Sequence, residues 1–366
     1  MKEKTSLLVR VFTVCCSFFG IFALIMDGRT ASSAAAEGIT LCLQVLIPSL
    51  FPFLVLTKVL TSSSISRWCE KRIGPIVRKL FGLPPDGAIP LVLGAIGGYP
   101  TGARITADLY VSGLLDRQSA ERLLAFTSNA GPAFFFGMIG GILGGPRIAA
   151  VLYVIHLLSA LMAGFLLRPR AVCRSTGRMH CRSESNAISL VQAVQSSIHA
   201  MGLICGYVVL FQVISAFLQK AMGLWMPDWI QILISGILEL TSGCCRLLEV
   251  ESTGFRYCMA SGFLAFGGIC VYLQTSAVIS HSGLRGTYYL FGKILQASIA
   301  VLLTWGTMVV FPDLLPREIT VSYPLVSSHS GLLRATGLVT GISLMGFILW
   351  CWSLQKKAGK QAVPDV

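Results

Sequence analysis

The sequence has little charge for its length. Only 12% of its 366 residues are Asp, Glu, Lys or Arg, whereas 54% are hydrophobic, and the mean hydropathy is +0.74. A soluble globular protein carries about a quarter charged residues. The chain therefore lacks the polar surface that a soluble protein of this size needs, and its composition predicts a polytopic membrane protein.

The sequence also lacks the local motifs of common catalytic and metal sites. It has no GxSxG, HExxH or P-loop sequence and no CxxC pair. Several of its twelve cysteines lie in apolar segments, where a free thiol behaves as a small hydrophobic group. We therefore expect no enzyme, no cofactor and no metal ion; Cys173, His180 and Cys181 come nearest to a set of metal ligands.

Acidic residues are scarce, and the formal net charge is +13. The lysines and arginines form short clusters between apolar runs and do not make a stripe with interleaved aromatic side chains. This distribution argues against a nucleic-acid partner and is typical of topology determinants in a membrane protein.

A membrane-spanning helix needs about 20 mostly apolar residues. The runs that meet this requirement are 7–26, 39–60, 121–143, 146–167, 188–220, 254–279, 286–311 and 332–354. The first run has two readings, a signal peptide with small residues for cleavage at 30–37, or an uncleaved anchor. Its length favours the anchor, because the apolar core of a signal peptide is shorter.

Two further apolar segments, 86–116 and 228–248, fit a spanning helix badly. The first contains GAIGGYPTGAR at its centre, and the second contains Glu239 followed by Thr241 and Ser242. Each pattern predicts a re-entrant helical hairpin, which enters the bilayer, turns at a polar tip with glycine, and leaves on the side where it entered.

The loop charges support this arrangement. If both hairpins are re-entrant, the N-terminus, three loops and the C-terminal tail share one side. The basic residues on that side are Lys2, Lys4, Arg67, Lys71, Arg72, Arg78, Lys79, Arg168, Arg170, Arg174, Arg178, Arg182, Arg285, Lys356, Lys357 and Lys360. The other side, which includes a loop near 27–38, has only Arg29, Arg147, Arg246 and Arg317. The positive-inside rule then predicts that both termini are cytoplasmic.

The same arrangement predicts an inverted repeat. Residues 39–167 and 188–311 each read as helix, hairpin, broken helix and helix, and they begin on opposite sides of the membrane. Secondary transporters have this architecture and bind their substrate at the repeat interface. The predicted divisions are an N-terminal anchor (1–38), the first repeat (39–167), a basic cytoplasmic linker (168–187), the second repeat (188–311), and a C-terminal helix with a basic tail (312–366).

The helix after each hairpin is interrupted by polar residues and glycine. The candidate site residues at these interruptions are Ser128, Asn129, Gly267, Gly268 and Gln274. Irregular backbone in hydrocarbon is tolerated only where protein buries it or water wets it. Two hairpins and two broken helices therefore predict one central polar cavity.

The first hairpin tip is a candidate anion site, because a half-helix that begins there presents unpaired N–H groups. The tip residues are Gly97, Gly98, Tyr99, Pro100, Thr101 and Gly102. Arg104, one turn further on, has three readings: contact with a substrate carboxylate, an internal ion pair with Glu239, or extension to the membrane interface. Glu239 itself has two alternative roles. It couples transport to a proton or cation, or it packs one helix against another. Hydroxyl and amide groups such as Ser128 equally join helices to each other.

A resemblance to a known family rests on the stretch GAIGGYPTGARITADLYVSGLLDRQSAERLLAFTSNAGPAFFFG. It is similar to the signature region of sporulation integral membrane proteins of the YlbJ/SpoVV type, within the nucleoside-recognition (Gate) domain superfamily. The resemblance covers roughly 39–311 and places the tip together with Ser128, Asn129 and Pro132 in the motif. It implies transport of dipicolinic acid into the forespore across its outer membrane, and a hairpin fold like that of concentrative nucleoside transporters.

Three functions stay open at this point. The first is a transporter of a small organic anion, with dipicolinate as the ligand that the resemblance implies. The second is a nucleoside or cation transporter of related fold. The third is a non-transporting scaffold that assembles with other sporulation membrane proteins. All three predict an all-α protein embedded in a lipid bilayer.

Overall fold

The computed structural model describes residues 20–61, 65–168, 189–223 and 225–316, together with residues 14 and 18. Within these ranges every regular element is helical. Most of the predicted first span, the linker 169–187 with its three possible metal ligands, and the predicted span 332–354 lie outside the described residues.

The described chain begins with a bent helix pair. Helix α1 (Gly28–Leu41) passes through a π-helical turn (Cys42–Leu46) into α2 (Ile47–Thr61), with a bend of 53°. The Asp27 side chain caps α1 by accepting from the Thr30 N–H at 3.2 Å, and the alanines that follow are strong helix formers. The helix therefore begins well before residue 39, and the segment predicted as a loop near 27–38 is helical.

The next elements form a surface helix and a hairpin. Helix α3 (Ile65–Phe81) is followed, after a bend of 104° and a 3₁₀ turn (Pro85–Gly87), by α4 (Ala88–Gly97) and α5 (Thr101–Val111). A bend of this size excludes one straight crossing by α3 and α4. At 1.5 Å per residue each hairpin arm is about 15 Å long, roughly half the thickness of a hydrocarbon core.

The first broken span follows the hairpin. It consists of α6 (Arg117–Thr127), an extended break at 128–131, α7 (Pro132–Phe134), a π-helical turn (Phe135–Ile139) and α8 (Gly140–Leu143). Pro132 has no N–H to bond back into α6, so the helix stops and restarts at this residue. Helix α9 (Pro146–Leu166) completes the first half.

The second half has a similar order of elements. It contains α10 (Leu190–Met222), α11 (Asp228–Leu238), α12 (Leu240–Arg246), a 3₁₀ turn (Leu247–Glu249), α13 (Thr253–Phe266), α14 (Gly268–Ile279), another 3₁₀ turn (Ser280–Ser282) and α15 (Thr287–Val310). The α11–α12 pair is the second predicted hairpin. Gly267 has φ of 83° and separates α13 from α14, which makes the second broken span.

Five of the described helical segments are long and apolar enough to cross a membrane, and the number is seven if each bent pair counts as one span. The five are Arg117–Leu143, Pro146–Leu166, Leu190–Met222, Thr253–Ser282 and Thr287–Val310. They confirm five of the predicted runs in place and length. The total of eight spans and the inverted repeat stay predictions.

The outer and inner surfaces of these helices differ as a bilayer requires. Leu302 and Trp305 of α15 and Phe165 of α9 expose their side chains outward, where lipid would contact them. One interior apolar cluster packs the first break against α9 and α13, and a second packs the first hairpin against α3 and α6. Tyr99, at the hairpin tip, reaches from the second cluster into the first.

Candidate functional site

The first hairpin is held against the end of α6 by two glycines. A Cβ atom on Gly94 or Gly102 would lie 2.0 or 2.1 Å from the Thr127 carbonyl oxygen. Atoms cannot approach so closely, so only glycine allows this contact. Both arms of the hairpin thus press on the last residue before the first break.

The tip of the same hairpin contacts both broken spans. Gly98, which has φ of 74°, faces Gly131 of the first break, and a Cβ on Gly98 would lie 3.2 Å from the Gly131 nitrogen. The Tyr99 hydroxyl donates to the Leu264 carbonyl oxygen at 2.8 Å, and its ring lies against Gly267 at the second break. The tip therefore joins the two breaks.

The remaining tip residues shape the turn. Thr101 Oγ1 donates to the Gly97 carbonyl oxygen at 3.2 Å, which ties the start of α5 to the end of α4. Pro100 precedes α5 and is buried. The Tyr153 hydroxyl of α9 donates to the Ala95 carbonyl oxygen at 3.1 Å and anchors the hairpin from the side.

The second hairpin meets the second break in a comparable way. A Cβ on Gly243 would lie 2.2 Å from the Gly236 Cα atom, so the two arms touch at this glycine pair. A Cβ on Gly268 would lie 3.3 Å from the Leu238 carbonyl oxygen and 3.3 Å from the Leu240 nitrogen. The second tip is thereby fixed at the start of α14.

Glu239 caps α12 at this second tip. Its carboxylate accepts from the Thr241 N–H at 2.9 Å and the Ser242 N–H at 2.6 Å, and the Ser242 hydroxyl lies 2.8 Å away. The Ser242 hydroxyl also contacts the Gln212 amide oxygen. The free N–H groups of this half-helix are therefore satisfied by the protein's own anion, which is 2% exposed.

Arg104 takes no part in the polar contacts described for the two hairpin tips. It is half-buried on α5, with Lys58 in its charged neighbourhood. Among the described residues it makes no ion pair, so the alternative in which Arg104 locks onto Glu239 is wrong. Its contact with a substrate stays a prediction.

A buried polar cluster that the sequence did not predict lies beside the first tip. Lys293 and Gln296 of α15 are both fully buried, and Asn129 of the first break is 2% exposed. The Lys293 ammonium donates to Gln296 Oε1 at 2.8 Å and to Asn129 Oδ1 at 3.4 Å. Gln296 Nε2 donates to Asn129 Oδ1 at 3.0 Å, so the three side chains form a closed set.

Two tyrosine rings complete the surroundings of the ammonium. The Lys293 nitrogen lies 5.1 Å from the centre of the Tyr99 ring and 5.9 Å from that of Tyr289. Aromatic faces at this range attract a cation. Within the described ranges, however, no carboxylate lies at ion-pair distance from Lys293.

Two of the buried groups near this cluster that have no hydrogen-bond partner within the described part of the chain belong to the first break and to α9. One is the Ser128 hydroxyl, directly before Asn129. The other is His156 Nδ1: the His156 Nε2 atom accepts from the Ala130 N–H at 3.2 Å, so the hydrogen of the neutral ring is on Nδ1. The cluster is therefore rich in hydrogen-bond donors.

The structure thus unites some predicted site residues and separates others. The first tip, Ser128, Asn129 and Gly267 meet, whereas Gln274 donates to Cys270 Sγ at 3.3 Å within α14 and makes no hydrogen bond to this group. The sequence did contain a signal for Lys293, because a lysine inside the apolar run 286–311 marks a functional site by default.

These features define an integral membrane protein in which two helical hairpins meet two interrupted helices around buried polar groups. The family model for Gate, described as nucleoside recognition, matches residues 43–220, which include the first hairpin and the first break. Lys293 and the second hairpin lie beyond that match.

A relative agrees over more of the chain. The sporulation integral membrane protein YlbJ of Bacillus subtilis (strain 168) is 26% identical in an alignment that covers 81% of this chain and 84% of that protein. No solved structure gives a significant match. The predicted resemblance to sporulation membrane proteins with a Gate domain is thus confirmed.

Proposed function

We propose that this protein transports a small organic anion across a membrane, and that dipicolinate is its substrate during endospore formation. The observation that carries the proposal is the contact of the first hairpin tip with both broken helices, beside a buried cationic cluster. Substrates of secondary transporters bind where interrupted helices meet at the interface of repeats. The similarity to a protein named for sporulation supports the setting, and the outer forespore membrane with cytoplasmic termini is the location that we propose.

The contacts of the two hairpins support an inverted repeat. In each half, a pair of hairpin glycines touches the residue four positions before the glycine of the break. That residue is Thr127 before Gly131 in the first half and Phe263 before Gly267 in the second. The contacted atom is a backbone carbonyl oxygen in the first half and a ring carbon in the second, but the position before the break is the same, as expected if two related units surround one site.

A second candidate function is nucleoside transport. It is favoured by the description of the family model as nucleoside recognition. The amides of Asn129 and Gln296 are groups that could bind the neutral base of a nucleoside. In this case the charge of Lys293 would be dispensable for uptake.

Uptake into proteoliposomes tests both functions. The purified full chain is reconstituted, and entry of radiolabelled dipicolinate and, in separate vesicles, of radiolabelled uridine is followed with and without an excess of the other compound. Saturable dipicolinate uptake that an excess of uridine does not reduce supports the anion transporter. Uridine uptake without dipicolinate uptake supports the second function, and a folded protein that moves neither compound refutes transport and leaves the scaffold.

A matched pair of glycine variants shows whether uptake depends on the tip. Gly98→Leu puts a side chain at φ of 74° against the Gly131 backbone. Gly206→Ala on α10 adds a methyl group where no atom of the described residues lies within 4 Å. We expect uptake to fail in the first variant and to persist in the second, with both eluting as folded protein on size exclusion.

A further inference from the structure

We infer that Lys293 binds the anionic group of the transported molecule. This inference rests on the proposed transport function and assigns the residue that recognises the ligand. The first ground is charge: Lys293 is fully buried, and within the described ranges it lacks a carboxylate partner. Buried charges in proteins are normally paired, because an isolated one is strongly disfavoured.

The second ground is that the surroundings favour an ammonium without cancelling its charge. Gln296 Oε1 and Asn129 Oδ1 accept from Lys293, and the rings of Tyr99 and Tyr289 face its nitrogen. All four groups stabilise a cation, yet none carries a full negative charge. An anionic group of a ligand would therefore supply the charge partner that these neutral groups do not.

The third ground is the set of unused donors. The Ser128 hydroxyl and the His156 Nδ1–H are buried and have no partner in the part of the chain that the structure describes, and the His156 carbonyl oxygen accepts from Gln296 Nε2 at 3.3 Å. Carboxylate oxygens accept from hydroxyl and ring N–H donors. With tyrosine rings on two sides of the cation, the cluster suits a planar ring that carries a carboxylate.

The other positive sites compete poorly for this role. The N-terminus of α12 is already capped by Glu239. Arg104 is half-buried on α5 and has Lys58 of α2 as a charged neighbour. Lys293, by contrast, lies at the contact between the first tip and the first break.

Equilibrium binding tests the inference separately from transport. The full chain in lipid nanodiscs is titrated with radiolabelled dipicolinate, and pyridine-2,6-dicarboxamide, which has the same shape without charge, serves as a competitor. We expect Lys293→Met to weaken dipicolinate binding about tenfold to a hundredfold, as expected for loss of a charged hydrogen bond. We expect Lys79→Gln, a change at an exposed lysine of α3, to bind within a factor of about two of the original protein.

The neutral competitor gives a readout that a purely structural role would not change. The original protein should prefer dipicolinate to the dicarboxamide, and Lys293→Met should lose that preference. Lys293→Arg should keep it, because the charge remains. Wild-type affinity in a folded Lys293→Met variant would overturn the inference, and so would an equal loss for both ligands.

A second variant keeps the test decisive if Lys293→Met does not fold. Asn129→Asp would put a carboxylate oxygen where the Asn129 oxygen now lies, 3.4 Å from the Lys293 nitrogen. It would sacrifice the donation from Asn129 to the Phe126 carbonyl oxygen but supply an internal counter-ion. We expect this variant to fold and to lose dipicolinate binding; tight binding by Asn129→Asp would refute the role of Lys293.

The two levels of proposal fail in different ways. If dipicolinate binds through Lys293 but no uptake occurs, the binding site is supported and the transport function is refuted. If uridine is taken up and Lys293→Met does not change this uptake, nucleoside transport is supported and the role assigned to Lys293 is refuted.

Discussion

Replacement of Glu239 separates a structural role from a role in transport. The carboxylate satisfies two backbone N–H groups at the start of α12 and is 2% exposed. In Glu239→Ala the cap is lost and both buried N–H groups lose their acceptor. The loss of a cap together with an unsatisfied buried donor costs about 2–4 kcal/mol of the free energy of unfolding.

Asparagine at the same position keeps the cap and removes the charge. The two N–H groups belong to the second and third residues after Glu239, which are the positions that a short N-cap side chain reaches. We expect Glu239→Asn to recover most of the stability that Glu239→Ala loses, to within about 1 kcal/mol of the original protein. Equilibrium unfolding in mixed detergent micelles measures both changes.

Uptake by the two variants then decides the function of the charge. If Glu239 serves only as a cap, Glu239→Asn transports normally. If Glu239→Asn is stable and inactive, the negative charge takes part in transport and the structural reading is refuted. Equal instability of the two variants would show that capping is not what the carboxylate contributes.

Two further predictions concern packing and an exposed ion pair. Gly102→Ala should lower the melting temperature, because its Cβ would lie 2.1 Å from the Thr127 carbonyl oxygen and would keep the hairpin from packing there. Gly141→Ala is the control: no atom of the described residues lies within 4 Å of its Cβ, so its melting temperature should equal that of the original protein. The hydrogen bond from Lys220 lowers the pKa of Asp27 to about 2, so the stability it adds is present above the unfolded pKa and is lost as the pH falls toward 2. The difference in melting temperature between the original protein and Lys220→Ala should therefore shrink over that acidic range, and a constant difference would contradict the assignment.

The sequence was sufficient for the features that depend on local pattern. The five spans confirmed by the structure follow from runs of apolar residues, and both hairpins follow from glycine and polar residues within such runs. The break before Pro132 follows from the missing N–H of proline. These signals act within a few residues of their cause, so one segment at a time suffices to find them.

Features that depend on distant partners were not predictable in this way. Lys293 meets Asn129 across 164 positions of the chain, so a lysine within an apolar run could mark a site but could not indicate its partners. Glu239 caps its own half-helix, but glutamate is not a preferred N-cap residue, so the local pattern did not show this role. The early start of α1 depends partly on its packing against α10, which brings Gly38 close to Val209.

The chemistry of the groups around Lys293 also bears on release. An internal carboxylate would hold the ammonium through a buried ion pair, and a ligand would have to break that pair to bind. Amide oxygens and aromatic rings stabilise the cation less strongly, so an incoming carboxylate can displace them and is displaced in turn when it leaves. Because one of the displaced groups is Asn129, binding would also alter the first break where it meets the hairpin tip. A buried cation with neutral partners is therefore suited to a site that must bind an anion and then let it go.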